Sequence, residues 1–327
     1  MCETMYTLDM EMLRAGDIML TAQLGVVSKT VRLATGSKFS HAILYVGKGS
    51  YIHSDGQGVH SNNIQRLLFE KTEYAEVLRI GDNKYVANAC IFARSQIGKE
   101  YSVRDAINTK NLLSKKIKRN RQFCSRLVAQ AYEYSGIRLV ENVNYCTPKD
   151  IQSSSSTEVI SGCLKKATDE EIEFSNSPSP LQKQIEITNS ILSGVRKLTA
   201  SDVQSFEDLC QFVIANPSYD TPITDIVRKS GYLNMWKYEM HHNQWRYDGK
   251  IFLSLNIEPS YKKERAVFEL DSAFEQAKMY SHNYEMYKCL RCNHNLRYLE
   301  MNIVLYENLI AQMSKRIEAA RYVIKHT

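Results

Sequence analysis

Residues 40–47, Ser-His-Ala-Ile-Leu-Tyr-Val-Gly, are apolar at successive positions, so a strand built from them has no face to give to water. Side chains alternate between the two faces of a strand, and a segment apolar on both must be covered on both. The neighbouring segments can supply that cover. Residues 25–35 predict a helix closed by Gly36, and Val86, Ala89, Cys90, Ala93 and Ile97 fall at helical spacing over 84–97, ended by Gly98. Residues 124–135 predict another helix, stopped by Gly136, with Cys124 in its first turn. Tyr51 to His53 reads as a second short strand, followed by the Gly56-Gln57-Gly58 turn, and 73–80 as a third. The first half is therefore expected to be an α+β unit.

The chain changes character after residue 152. Ser153 to Ser156 and Ser175-Asn176-Ser177-Pro178-Ser179-Pro180 read as an exposed linker. Beyond it, residues 260–327 contain no glycine or proline. Leu296, Leu299, Ile303, Tyr306, Ile310, Met313, Ile317, Ala320 and Ile324 there form a heptad seam, suited to a helix packed in a bundle or to a dimerising coiled coil. The expected organisation is a catalytic-type domain over 1–155, a linker over 156–195 and an all-α domain over 196–327. A length of 327 residues allows two cores, and 43% hydrophobic residues excludes a disordered chain.

No stretch reaches the roughly 18 uncharged apolar residues of a membrane-spanning helix. The N-terminus carries Glu3, Asp9 and Glu11 where a signal peptide would be basic and then apolar. Eight scattered cysteines point to a reducing compartment. A cytoplasmic protein is expected, with a non-Sec export route left open. Charge is uneven: residues 1–150 hold 21 Lys/Arg against 14 Asp/Glu. The acid-free stretch with Lys110, Lys115, Lys116, Lys118, Arg119, Arg121 and Arg126 is either a solvated loop or a contact for an anionic surface.

Cys124 is the strongest chemical candidate. A helix N-terminus lowers a thiol pKa, and its free N–H groups can hold an oxyanion. A cysteine nucleophile needs a base, and the base an orienting partner. If strands 40–47 and 51–53 pair antiparallel, His41 and His53 sit side by side at one sheet end. His41 would then take the thiol proton and His53 would fix its tautomer. Other clusters offer less. Cys289 and Cys292, near His282 and His294, lie within one predicted helix, whereas a zinc site draws converging ligands from more than one segment. The stretch His241-His242-Asn243-Gln244-Trp245 reads as a packed helix end. Neither a phosphate loop nor a GxGxxG turn occurs, so no nucleotide, cofactor or metal is expected, and nucleic acid is not an expected partner.

Several motifs occur in an order that resembles the permuted papain-like amidases of the YaeF/YiiX type, a circularly permuted branch of the NlpC-type cysteine peptidases. They are Leu13-Arg14-Ala15-Gly16-Asp17-Ile18, Ser40-His41-Ala42-Ile43 with Gly47, and Tyr51-Ile52-His53 with Gly58-Val59. Gly98-Lys99-Glu100-Tyr101, Phe123-Cys124-Ser125 and Thr147-Pro148-Lys149-Asp150 follow. Histidine preceding cysteine is the mark of the permutation. The resemblance implies a permuted papain-like fold, an antiparallel sheet with packed helices, with Cys124 as nucleophile, His41 as base and His53 as third polar residue. Tyr101, Ser40 and Ser125 would line the pocket. Histidine at the third position, where many members have an acid, is similar to the related acyltransferases and the unpermuted peptidases. The expected activity is therefore a cysteine amidase or peptidase, with two alternatives: a lipid acyltransferase or thioesterase using the same thiol, and a non-catalytic, partner-binding protein that could be a secreted effector. The substrate would carry an amide or ester, and the C-terminal helices could bind a protein partner or a second copy.

Overall fold

The computed structural model describes residues 4–22, 38–81, 83–101 and 121–327. They form two compact units, Met1–Glu186 with Gln204–Glu207, and Ile187–Val203 with Asp208–Thr327. The first unit contains β1 (Tyr6–Leu8), β2 (Ile18–Thr21), β3 (His41–Gly47), β4 (Ser50–Asp55), β5 (Gly58–Asn63) and β6 (Ala75–Arg79). After these come α1 (Val86–Ser95), α2 (Cys124–Tyr134), α3 (Pro148–Gln152), β7 (Glu158–Ile160), β8 (Leu164–Lys166) and α4 (Asp169–Asn176). Six strands form one sheet in the order β5-β4-β3-β2-β6-β7, antiparallel at every pairing, while β1 and β8 form a separate ribbon. The helix expected over 25–35 lies outside the described residues.

The doubly apolar segment is β3, and both its faces are covered. On one face Ala42 and Leu44 join Ile18, Leu20, Ile52 and Leu78 against Ala89, Cys90 and Ala93 of α1 and Leu127, Val128 and Ala131 of α2. On the other, Ile43 and Tyr45 join Met19, Tyr51 and Val77 against Leu8, Leu13, Ile64, Phe69 and Cys163. Burial of large aliphatic side chains contributes about 1.5–3 kcal/mol each, which fixes the strand's register as well as its place. A one-residue slip would exchange the two sets.

Asp17 braces the sheet. Buried just before β2, its carboxylate accepts from the Arg14 N–H at 2.8 Å and from Nε and Nη2 of Arg79 at 2.7 Å each. The same Nη2 donates to the Met12 carbonyl at 2.7 Å. Gly58 serves a tight approach at the start of β5. Its φ is +98°, and a Cβ there would lie 2.6 Å from the Lys99 carbonyl oxygen, which accepts the Val59 N–H.

Residues 156–195, expected as a linker, are structured. β7 extends the main sheet by pairing with β6, β8 pairs with β1, and α4 opens with a capping box between Thr168 and Glu171. The Ser/Pro stretch separates α4 from α5 (Pro180–Thr199), and Arg66 binds the Ser177 carbonyl at 2.5 Å. Low apolar content concealed these elements, because short edge strands and helix caps need few buried side chains.

The second unit is helical, with α6 (Phe206–Ala215), α7 (Asp220–Lys229), α8 (Met235–His242), α9 (Gly249–Leu253), α10 (Pro259–Asn293) and α11 (Arg297–His326). α10 and α11 form an antiparallel hairpin, with Glu269 and Gln276 meeting Arg316 and Asn283 meeting Tyr306. The face α11 buries is displaced from the predicted heptad seam: Tyr298, Asn302, Leu305, Gln312, Arg316, Ala319 and Val323 are buried beside Leu299, Met313 and Ala320, whereas Ile303, Ile310 and Ile317 are only half-buried. Glu269 holds Arg316 in this inlay at 2.6 Å, with Arg246 and Arg265 alongside. Asp220 caps α11 by accepting the Arg297 and Tyr298 N–H groups at 2.8 Å each. No helix among the described residues is long and apolar enough to cross a membrane.

Candidate active site

The β3–β4 and β4–β5 hairpins bring three histidines into a row. The antiparallel register sets His53 opposite His60, and His41 opens the adjacent strand. His41 Nε2 lies 2.8 Å from His53 Nδ1, and His53 Nε2 lies 2.9 Å from His60 Nε2. The row ends at the Gly58 carbonyl, 3.2 Å from His60 Nδ1. All three residues are at most 7% exposed.

That carbonyl orders the protons. It can only accept, so His60 carries its hydrogen on Nδ1 and offers Nε2 as acceptor. His53 then donates from Nε2 and accepts at Nδ1, and His41 donates from Nε2. The lone pair of His41 is thereby left on Nδ1, the nitrogen free to act as a base. Burial holds His41 and His53 neutral at pH 7. It pushes His41 down to about 4, against the opposing pull of the Asp55 charge and with a smaller push from His60. It also lowers His53 well below the usual range, reinforced by His41 and His60.

These shifts set an acid dependence. Unfolding returns His41 and His53 to ordinary values near 6.5, so the unfolded chain binds more protons below that pH. Their contribution is complete above pH 6.5 and is lost as pH falls through the folded values. For His41 alone this amounts to on the order of 3 kcal/mol between pH 7 and 4. In chelator-treated protein, hydrogen exchange of β3–β5 amides should therefore show opening free energies that fall across this window. His41→Gln should flatten the fall, and equal slopes in both proteins would contradict the assignment.

Cys124 is the first residue of α2, preceded by Phe123 in extended conformation, and is 7% exposed. It packs in one core cluster with Ala42, which follows His41. Burial pushes its thiol up, against a smaller lowering from the backbone N–H groups near it. The expectation that the helix end would lower it is therefore corrected: desolvation exceeds the helix-end effect. His41 bonds His53 through Nε2, and its Nδ1 makes no hydrogen bond to Cys124 in this arrangement. A neutral thiol beside a neutral imidazole needs the base at the moment of attack, when apo contacts tighten.

The other predicted residues divide clearly. Tyr101 pairs with Gln122 in a short bridge, and burial raises its phenol, with smaller contributions from Cys124 and Asp55. Ser125 is drawn into support of the helix start, its hydroxyl donating to the Cys146 carbonyl at 2.7 Å. The Ser40 N–H donates to the Thr21 carbonyl at 3.0 Å. Lys110, Lys115, Lys116, Lys118 and Arg119 lie outside the described residues. Arg121 is paired with Glu100 at 2.6 Å. Arg126 leaves the anionic-contact set altogether: it is 1% exposed, lies over the Phe123 ring, and donates to the carbonyls of Asn144 at 2.9 Å and Arg121 at 2.8 Å. It thus ties the start of α2 to the segments at Arg121 and Asn144.

Cys289 and Cys292 are exposed on α10, and His241 and Gln244 line an open depression with Trp236, Tyr247 and Ile251. Among the described residues, one atom each of His53, Asp55 and His60 lie within 4.8 Å of one another, the donor set of a metal site. Neither His60 nor Asp55 was among the predicted site residues. The signal was present: His53 and His60 are equidistant from the centre of the Gly56-Gln57 turn, so a two-residue hairpin there pairs them.

The family described as permuted papain-like amidase enzyme, YaeF/YiiX, C92 family, matches residues 12–184, more than half of the chain. No curated protein matches the chain. Among solved structures, that of the metalloprotein YiiX from Escherichia coli O157:H7 (DUF1105) is similar at 16% identity and a TM-score of 0.35, covering 45% of this chain and 96% of that one.

Proposed function

Since this chain belongs to the permuted papain-like amidase family, we propose that it is a cysteine hydrolase of amide bonds that works through an acyl-cysteine. Cys124 is the nucleophile, His41 the base and His53 its orienting partner. As the sulfur attacks a substrate carbonyl, Nδ1 of His41 takes the thiol proton. The oxyanion forms at the start of α2, where free N–H groups and the helix dipole favour negative charge. His41 then gives its proton to the departing amine, leaving a thioester. Water, deprotonated by the same nitrogen, releases the acid and restores the thiol. His53 accepts the Nε2 proton throughout and holds the tautomer, while the Asp55 charge favours the transient imidazolium.

The observation that carries this reading is that Cys124, at the leading end of α2, is buried in the same core cluster as Ala42, the residue that follows His41 in β3. The test is intact-protein and peptide mass spectrometry after incubation with an activated acyl substrate. An acyl group is expected on Cys124 and not on the buried Cys90 or Cys163, and none on Cys124→Ala. Acylation of Cys124 no faster than of Cys90 would overturn the proposal. Product analysis decides the fate of the acyl group: free acid in the presence of amines and alcohols is hydrolysis, while transfer to them identifies an acyltransferase.

A further inference from the structure

We propose that His53, Asp55 and His60 form a binding site for a divalent cation of the zinc type, sharing one imidazole with the catalytic row. The donors suit such an ion, being two imidazoles and a carboxylate from one β-hairpin. A tetrahedral zinc ion with bonds of about 2.0–2.1 Å separates its ligand atoms by about 3.4 Å. The observed spacings bracket that edge: 2.9 Å between the two Nε2 atoms and 4.0 Å from His53 Nε2 to an Asp55 oxygen. The surrounding contacts are those that ligating histidines require, in which the second ring nitrogen is held by a fixed partner. His60 Nδ1 has the Gly58 carbonyl, and His53 Nδ1 has His41. Both imidazole side chains are at most 6% exposed, whereas Asp55 is 36% exposed, so the carboxylate side gives an ion its way in. Three protein ligands leave a fourth position for water or an exogenous donor.

Occupancy would act on the reaction. A cation on His53 Nε2 requires the proton of that ring to sit on Nδ1, which reverses the bond to His41. His41 then accepts at Nε2 and carries its proton on Nδ1, so no proton is gained or lost, but the basic nitrogen is blocked. This consequence rests on His41 being the base; the site itself does not.

The test is equilibrium dialysis of the chelator-stripped full chain against zinc, in a Cys289→Ser/Cys292→Ser background that removes the exposed cysteine pair. One zinc per chain is expected, with affinity weakened at least about tenfold by His60→Ala and by Asp55→Asn. Asp55→Asn is a conservative change at a hairpin end and keeps the acceptor for the Gln57 N–H, so loss of binding there cannot be attributed to unfolding. Cobalt in place of zinc should give a tetrahedral visible spectrum without a thiolate charge-transfer band, unchanged by Cys124→Ala. Absence of binding at micromolar zinc, or full affinity in both His60→Ala and Asp55→Asn, would overturn the proposal. If zinc binds as expected but hydrolysis persists in the loaded protein, the assignment of His41 as base is what fails.

Discussion

Hydrolysis by the His41→Ala protein is expected to fall about 10²–10⁴-fold in kcat/KM, the range for a lost general base, and Cys124→Ala should abolish it. The magnitude follows from the resting state. Burial keeps the Cys124 thiol protonated at pH 7, so no preformed thiolate can sustain the reaction when the base is removed. In a site with a standing thiolate–imidazolium pair, by contrast, much of the thiol reactivity is expressed before substrate arrives. Iodoacetamide alkylation separates the two cases: here it should be slow at neutral pH and should rise with pH toward the raised thiol pKa. His53→Ala should cost less than His41→Ala, because it removes an orienting acceptor and leaves the proton-transferring nitrogen. Equal activity of wild type and His41→Ala would refute the assignment.

Arg79→Ala is expected to destabilise the first unit by about 3–5 kcal/mol, the cost of leaving a buried charge without its partner. Asp17 is 1% exposed and would lose both 2.7 Å bonds from Arg79, keeping only the Arg14 N–H. Removing the carboxylate's charge should undo much of the loss, so Arg79→Ala/Asp17→Asn should be more stable than Arg79→Ala alone. Urea unfolding followed by far-ultraviolet circular dichroism measures both. The pair sits at the end of β2 away from Thr21, which is the register partner of His41. Activity per folded molecule should therefore be unchanged. A loss below about 1 kcal/mol would show that water replaces the guanidinium, as it does for exposed pairs.

The central fold and the histidine pair were legible in the sequence for one reason: both depend on local periodicity. The double apolar face of residues 40–47 requires a covered strand, and a turn after Val46 is enough to bring His41 and His53 together. His60 was hidden because its segment, Gly58 to Asn63, is half polar and lacks a strand's apolar alternation. Its placement comes from hairpin register rather than composition. The thiol was misjudged for a different reason. A helix N-terminus can be read from sequence, but the burial that opposes it is a tertiary property, and at Cys124 burial prevails. Arg126 shows the same limit: its charge suggests a surface, yet its contacts with Phe123 and two loop carbonyls bury it. The predicted heptad seam on α11 was displaced because Arg316 is buried against Glu269 and Gln276, and Asn302 against the Tyr298 carbonyl, polar partners that a hydrophobic pattern does not register.

β7 covers an edge that would otherwise be open. Without it, Val77, Leu78 and Arg79 of β6 would offer a row of unsatisfied backbone groups, a template on which a second molecule could stack. The strand that caps this edge comes from beyond residue 155, after every catalytic candidate, so solubility of the chemical machinery depends on residues that take no part in the chemistry. Genetic dissection of such a chain must follow its strand pairing: a fragment ended at the last functional motif would keep its reactive groups and lose its protection against self-association.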